Sequence, residues 1–185
     1  MAPFEDEVRS GISTYATRRA HDALAVGRPL IGQHVLDVLA AIEALSSHGA
    51  AGPLVVVADG AAGLWGLFAA VASERVGSLA VRDSLASYER FVRCPLATWI
   101  QGDRESSVVL PGALGFFDLP DLVSILAPRH VLLSRLVDGS NAVLPAAEVE
   151  REYARALARF EERGAGNRLS ICDHDELRSW QGLEG

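Results

Sequence analysis

Between Gln33 and Leu45 the apolar side chains fall at Val35, Leu36, Val38, Leu39, Ile42 and Leu45, close to the spacing of one helix face. Gly49 to Pro53 interrupts that period, and Leu54-Val55-Val56-Val57 then reads as a short strand. Its unbroken apolarity predicts a strand covered on both faces. A second helix, rich in Ala and Leu, is expected over Ala62 to Ser73, and a second strand over Ser78 to Val81. From Asp83 to Ala127 the chain makes a long excursion with polar turns, the pair Pro111-Gly112 and a short helix at Asp121 to Leu126. His130 to Leu133 gives the third strand, Ala146 to Arg163 a long charged amphipathic helix stopped by Gly164 and Gly166, and Leu169 to Cys172 a fourth strand before a last short helix.

Strands that alternate with helices imply an α/β fold with a mainly parallel sheet of about four strands and flanking helices. Residues 1–32, mixed in charge and without a clean period, read as a lead-in with short helical pieces, and residues 33–185 as the domain. In such a sheet Leu54 to Val57 would be an edge strand, although its composition is that of an interior one. That conflict predicts a cover on its outer edge: the lead-in, a missing N-terminal half, or a second copy of the chain. No internal repeat or low-complexity tract is present.

Composition narrows the partners. The chain has 185 residues and is 49% hydrophobic, enough for one buried core. Its 17 Lys+Arg against 24 Asp+Glu leave a formal charge of −7 with no basic block, which argues against nucleic acid. No apolar run is long enough to span a bilayer, and Glu5, Asp6 and Glu7 stand where a signal peptide would be basic, so the chain reads as soluble and without an export signal. Cys94 and Cys172 each lie near apolar stretches and are expected to be buried free thiols.

Three segments, in order, carry a resemblance. The first is Gly27-Arg28-Pro29-Leu30-Ile31-Gly32 with Asp37 and the Ala-Ile-Glu-Ala-Leu helix. The second is Val57-Ala58-Asp59-Gly60-Ala61-Ala62-Gly63. The third runs from Pro111 through Phe116-Phe117-Asp118-Leu119-Pro120-Asp121-Leu122 to Ala127-Pro128-Arg129-His130-Val131-Leu132-Leu133. Over residues 27–178 this order resembles the second half of the α/β-hydrolase superfamily. The likeness is closest to the acetyl xylan esterase and cephalosporin deacetylase-like branch and its dienelactone-hydrolase-like relatives. It implies earlier strands for which too few residues precede Gly27.

The resemblance also implies a site. In this superfamily a nucleophile sits on a sharp strand-to-helix turn flanked by small residues. Ala58, Ala62 and Gly63 match the small positions, and Gly60 stands where serine belongs. Neither cysteine is near, so a cysteine variant is excluded. A shifted register would put Asp59 at the tip, as in the haloalkane dehalogenase-like branch; the competing reading is a turn aspartate or helix N-cap. Asp138 and His174 hold the implied places of the orienting acid and the general base, and the Ala61 N–H that of one oxyanion donor. The second donor would come from a loop after one of the earlier strands.

Other groups carry less. His21, His34, His48 and His130 share no ligand spacing, and Asp173-His174-Asp175-Glu176 lacks a second histidine at helical spacing. The turn 59–63 lacks the Lys-Ser/Thr ending of a phosphate loop. No cofactor or metal is therefore expected. Trp65, Phe68, Phe116 and Phe117 are expected to pack the core, and Ser84 and Ser87 to be loop serines without a base. The expected function is a degenerate or partial hydrolase domain, inactive in ester hydrolysis. The alternatives are a noncatalytic module that binds a ligand or partner chain, and a hydrolase completed in trans with Asp59 or a partner's residue as nucleophile.

Overall fold

The computed structural model describes residues 19–95 and 108–184. After a helical piece at 19–25, the described elements are α1 (Leu30–Ser47), β1 (Leu54–Asp59), α2 (Ala61–Ala72), β2 (Val76–Arg82), α3 (Tyr88–Arg93), α4 (Leu119–Ile125), β3 (His130–Ser134), α5 (Ala146–Glu152), α6 (Ala154–Glu162) and β4 (Leu169–Cys172). Short 3-10 turns occupy Ala113–Gly115, Gly166–Arg168, Leu177–Ser179 and Gln181–Glu184. The four strands form one parallel sheet in the order β1-β2-β3-β4. This is an α/β fold of the expected kind.

The register aligns the strands' carboxyl ends: Asp59 pairs with Arg82, Arg82 with Ser134, and Ser134 with Cys172. Because side chains alternate along a strand, each strand presents two distinct rows. Leu54 and Val56, Leu79 and Val81, Val131 and Leu133, and Leu169 and Ile171 enter the main core with the helices. Ala80, Leu132 and Cys172 face the other way and meet Trp180 and Leu177. The buried apolar side chains of α1 to α6 belong to the main core.

Strand β1 departs from its expected burial. Val55 and Val57 are 37% and 44% exposed, so β1 alternates instead of being covered on both faces. Its apolar run reflects β propensity and packing on α2, where Val56 and Ala58 meet the helix at Gly66. Among the described residues nothing pairs with its outer edge. Residues 1–18 of the expected cover lie outside the described residues, and residues 19–32 supply no strand.

Other elements differ in instructive ways. Helix α1 already begins at Leu30, so it runs through Gly32 instead of starting after it. It is the one described helix whose length and hydropathy match a membrane span. It also carries Asp37 and Glu43, lays Ile31 and Ile42 into the core, and stacks His34 on Trp65 of α2 at 4.2 Å between ring centroids. The expected helix 146–163 is two, α5 and α6, joined at Tyr153, whose buried hydroxyl donates to the Ala86 carbonyl at 2.7 Å. Helix α3 does not show in the sequence pattern, because its start signal is a single residue. The Ser87 hydroxyl accepts from the Arg90 N–H, and Asp118, the cap of α4, also accepts from the Tyr88 and Glu89 N–H groups. Phe116 is 91% exposed and leaves the core to Phe68 and Phe117. Cys172 is buried, whereas Cys94 is only partly so, and the last helix is a pair of 3-10 turns.

Candidate functional site

Gly60, Asp138 and His174 each follow the carboxyl end of a parallel strand, the edge where open α/β sheets gather their sites. Gly60 follows β1, Asp138 lies beyond β3, and His174 beyond β4. What they do there differs.

The turn at Gly60 is sharp. Gly60 has φ +57° and ψ −128°, a backbone that side-chain-bearing residues rarely adopt, and the Gly63 N–H closes the turn on the Gly60 carbonyl at 3.0 Å. The turn is also tightly packed. A Cβ on Gly63 would stand 2.5 Å from the Ser84 Oγ and 2.8 Å from the Val81 Cγ1, and one on Gly66 3.1 Å from the Ala58 Cβ. Small residues at 58, 63 and 66 let α2 lie directly on β1 and β2. The Ala61 N–H heads α2, where no intrahelical carbonyl is available to it. A Cβ on Gly60 itself would meet nothing nearer than the Asp83 carbonyl at 4.0 Å, so the position is empty on its outer side.

Asp59 is occupied. Arg82 Nε donates to its Oδ1 at 2.6 Å and Nη2 to its Oδ2 at 2.8 Å, while Nη1 donates to Asp175 Oδ2 at 3.1 Å. The hydrogen bonds from Arg82 hold the Asp59 carboxyl below its ordinary range. A carboxylate held in this bidentate way has low basicity and is a poor nucleophile. It is solvent-exposed, at 56%, as expected of a turn aspartate, but it is ion-paired and is not an N-cap, since α2 has no side-chain cap. Sequence alone does not reveal Arg82 as its partner; only the β1–β2 register brings the two together.

Asp138 braces its own loop. Val137 pairs antiparallel with Val143, and Asp138 Oδ1 accepts from the Ser140 N–H at 2.8 Å, the Ser140 hydroxyl at 2.7 Å and the Ala142 N–H at 3.0 Å. Partial burial pushes its carboxyl up, but these bonds outweigh it and the net shift is downward. Its surroundings are a wide groove of about 720 Å³ between α3 and α5, lined by Arg90, Arg93, Cys94 and Glu148 among others. Arg90 is committed to Glu148 and Glu152, and Arg93 to Glu89.

His174 points elsewhere. Its side chain is 67% exposed, and ring Nδ1 lies 3.4 Å from the carboxylate of its neighbour Asp173. No hydrogen bond joins it to Asp138 among the described residues. The backbone of this loop is firmly held, because the fully buried Ser134 hydroxyl donates to the His174 carbonyl at 2.6 Å. Ser84 is 1% exposed and its hydroxyl has no partner, and Ser87 is a helix cap, so neither has a base beside it. Among the described residues no cluster of His, Cys, Asp or Glu is arranged to hold a metal.

No family model matches this chain, and neither a curated protein nor a solved structure does. The chemistry therefore rests on geometry alone.

Proposed function

We propose that this chain is a noncatalytic domain of the α/β-hydrolase type, patterned on the acetyl xylan esterase-like branch, whose carboxyl edge has become structural. The observation that carries this reading is the turn at Gly60. It combines a strained strand-to-helix backbone, small flanking residues and a helix N–H at Ala61 with a tip that has no side chain to acylate. Three further facts support it. Asp59 is bound by Arg82, Asp138 by its own loop, and the His174 ring meets its neighbour Asp173 instead of Asp138. In nucleophilic catalysis the base must reach the nucleophile and be oriented by a third group; here the turn has no nucleophile to reach, and the exposed His174 ring meets only the adjacent Asp173.

A second reading is favoured by the β1 edge. The Leu54 and Gly60 N–H groups donate toward β2, to Arg75 and Arg82, so the alternate residues Val55 and Val57 direct their backbone groups outward. Both also expose their side chains. In this reading the domain binds a second copy of itself by strand pairing.

The two readings have separate tests. The purified chain should hydrolyse acetyl and p-nitrophenyl esters no faster than buffer. Turnover that disappears in Asp59→Asn or His174→Ala would overturn the first reading. Light scattering over a dilution series should show a dimer that Val57→Lys dissociates; a monomer at every concentration would overturn the second.

A further inference from the structure

The second face of the sheet has an unusual cover. By alternation it presents Val55, Val57 and Asp59 from β1, Ser78, Ala80 and Arg82 from β2, His130, Leu132 and Ser134 from β3, and Ser170 and Cys172 from β4. Ala80, Leu132 and Ser134 are fully buried, and Ser78 and Cys172 are 5% and 7% exposed. Among the described residues the helices' buried side chains lie on the opposite face, so this burial comes from the segment after β4. Trp180 packs on Ala80, Leu132 and Cys172 with Leu177 beside it, and the 3-10 turn Gln181–Glu184 lies against β2 and β3.

That segment is attached at few points. Arg82 reaches from the end of β2 to Asp175, the Ser134 hydroxyl donates to the His174 carbonyl, and the Trp180 ring is buried. One further long-range bond, from the Ala146 N–H to Asp173 Oδ2, is long at 3.5 Å, and the others are local, such as the Leu177 N–H to Asp175 Oδ1 at 3.2 Å. The Arg82–Asp175 pair is partly exposed, at 24% and 58%, which makes it weak and sensitive to salt. Few long-range ties, short turns and one buried ring describe a unit that opens before the whole domain unfolds.

We propose that residues 173–184 form a strap that swings away as one unit, with Arg82 as its latch and the Trp180 ring as its plug. The same guanidinium grips Asp59, so the latch is anchored to the turn at Gly60. Opening uncovers Ala80, Leu132 and the Cys172 thiol. This device stands whether or not the domain descends from a hydrolase.

Cys172 reports the opening directly, because the chain has only two cysteines and Cys94→Ser leaves one. Under native conditions that variant should react slowly with a water-soluble thiol reagent, and faster as salt rises from about 0.1 M to about 1 M. Arg82→Met and, separately, Asp175→Asn should speed labelling by about three- to fivefold while the urea midpoint moves little. Asp175→Asn keeps the Arg82–Asp59 pair, so it serves if Arg82→Met does not fold. Labelling within about twofold of the parent in Asp175→Asn, or labelling that only tracks global stability, would overturn the proposal. Hydrogen exchange on the unmodified chain gives a second readout. Amides 174–184 should exchange together and ahead of β2 and β3; protection equal to that of those strands would also overturn it.

Discussion

The turn after β1 and the loops after β3 and β4 stand at one edge of the sheet and have opposite characters. The turn has a demanding backbone, with φ +57° at Gly60 and contact distances at Gly63 that admit no side chain, yet it carries no reactive group. The loops carry an aspartate and a histidine, yet each is bonded to its own near neighbours in sequence. A catalytic site needs the reactive groups and the geometry that joins them, and here the two are in different places. The difference also separates what packing fixes from what chemistry would fix. The turn is held by α2 lying on β1 and β2, whereas the loops are free to bond locally.

The largest expected effect lies at the turn. Gly63→Val should destabilise the fold by about 3 kcal/mol or more, because the new side chain meets Val81 and Ser84 on β2 and its extension; urea unfolding measures it. A cost below about 1 kcal/mol would mean that the close approach is not a constraint. Gly60→Ala should cost about 2 kcal/mol from backbone strain alone, since there is space for a methyl group.

The loops should respond more mildly. Asp138→Ala should cost about 1 to 1.5 kcal/mol by removing the acceptor for Ser140 and Ala142. Asp138→Asn should recover most of that, because an amide oxygen accepts the same bonds. Failure of the amide to rescue would point to a role for the charge that a loop brace does not need.

Ser84→Ala should change the sign of the effect. Its hydroxyl is buried without a partner, so removing it should stabilise by up to about 1 kcal/mol. A loss of stability would mean that the hydroxyl has a partner such as a buried water in the small cavity bounded by Gly63, Leu133 and Tyr153.

The smallest effect is in acid. Asp59, Asp138 and Asp175 all have lowered pKa values, Asp59 through Arg82, Asp138 through its loop bonds against burial, and Asp175 first through the Leu177 N–H and then through Arg82. The unfolded chain then binds more protons, so the stability these groups add is complete above about pH 4 and is lost as pH falls below it. Arg82→Met should flatten that loss in a series of thermal melts.

The sequence made the order of elements legible because strand and helix patterns are local. The four strands, α1, α2, α4 and the stop at Gly164, where φ is +66°, follow from periods and breakers that lie within a few residues of each other. What remained hidden depends on distant partners. Asp118 caps α3 from 30 residues away, Tyr153, where the long helix is interrupted, bonds to the distant Ala86 carbonyl, and Arg82 meets Asp59 only through strand register. The turn at Gly60 was legible as a run of small residues, and its emptiness could be read directly. The local bonding of Asp138 and His174 was not, because position in the chain says which edge a residue reaches and not which way its side chain turns.

In the proposed noncatalytic reading the carboxyl edge lacks joined chemistry, beyond the absence of one side chain. The most direct test is to supply that side chain. Gly60→Ser, confirmed as folded by its urea transition, should remain unlabelled by a fluorophosphonate probe, because His174 is exposed and turned to its neighbour Asp173 and Asp138 is spent on its loop. Stoichiometric labelling of the introduced hydroxyl that is lost on adding His174→Ala would contradict the claim, and would show that base and turn come together after all.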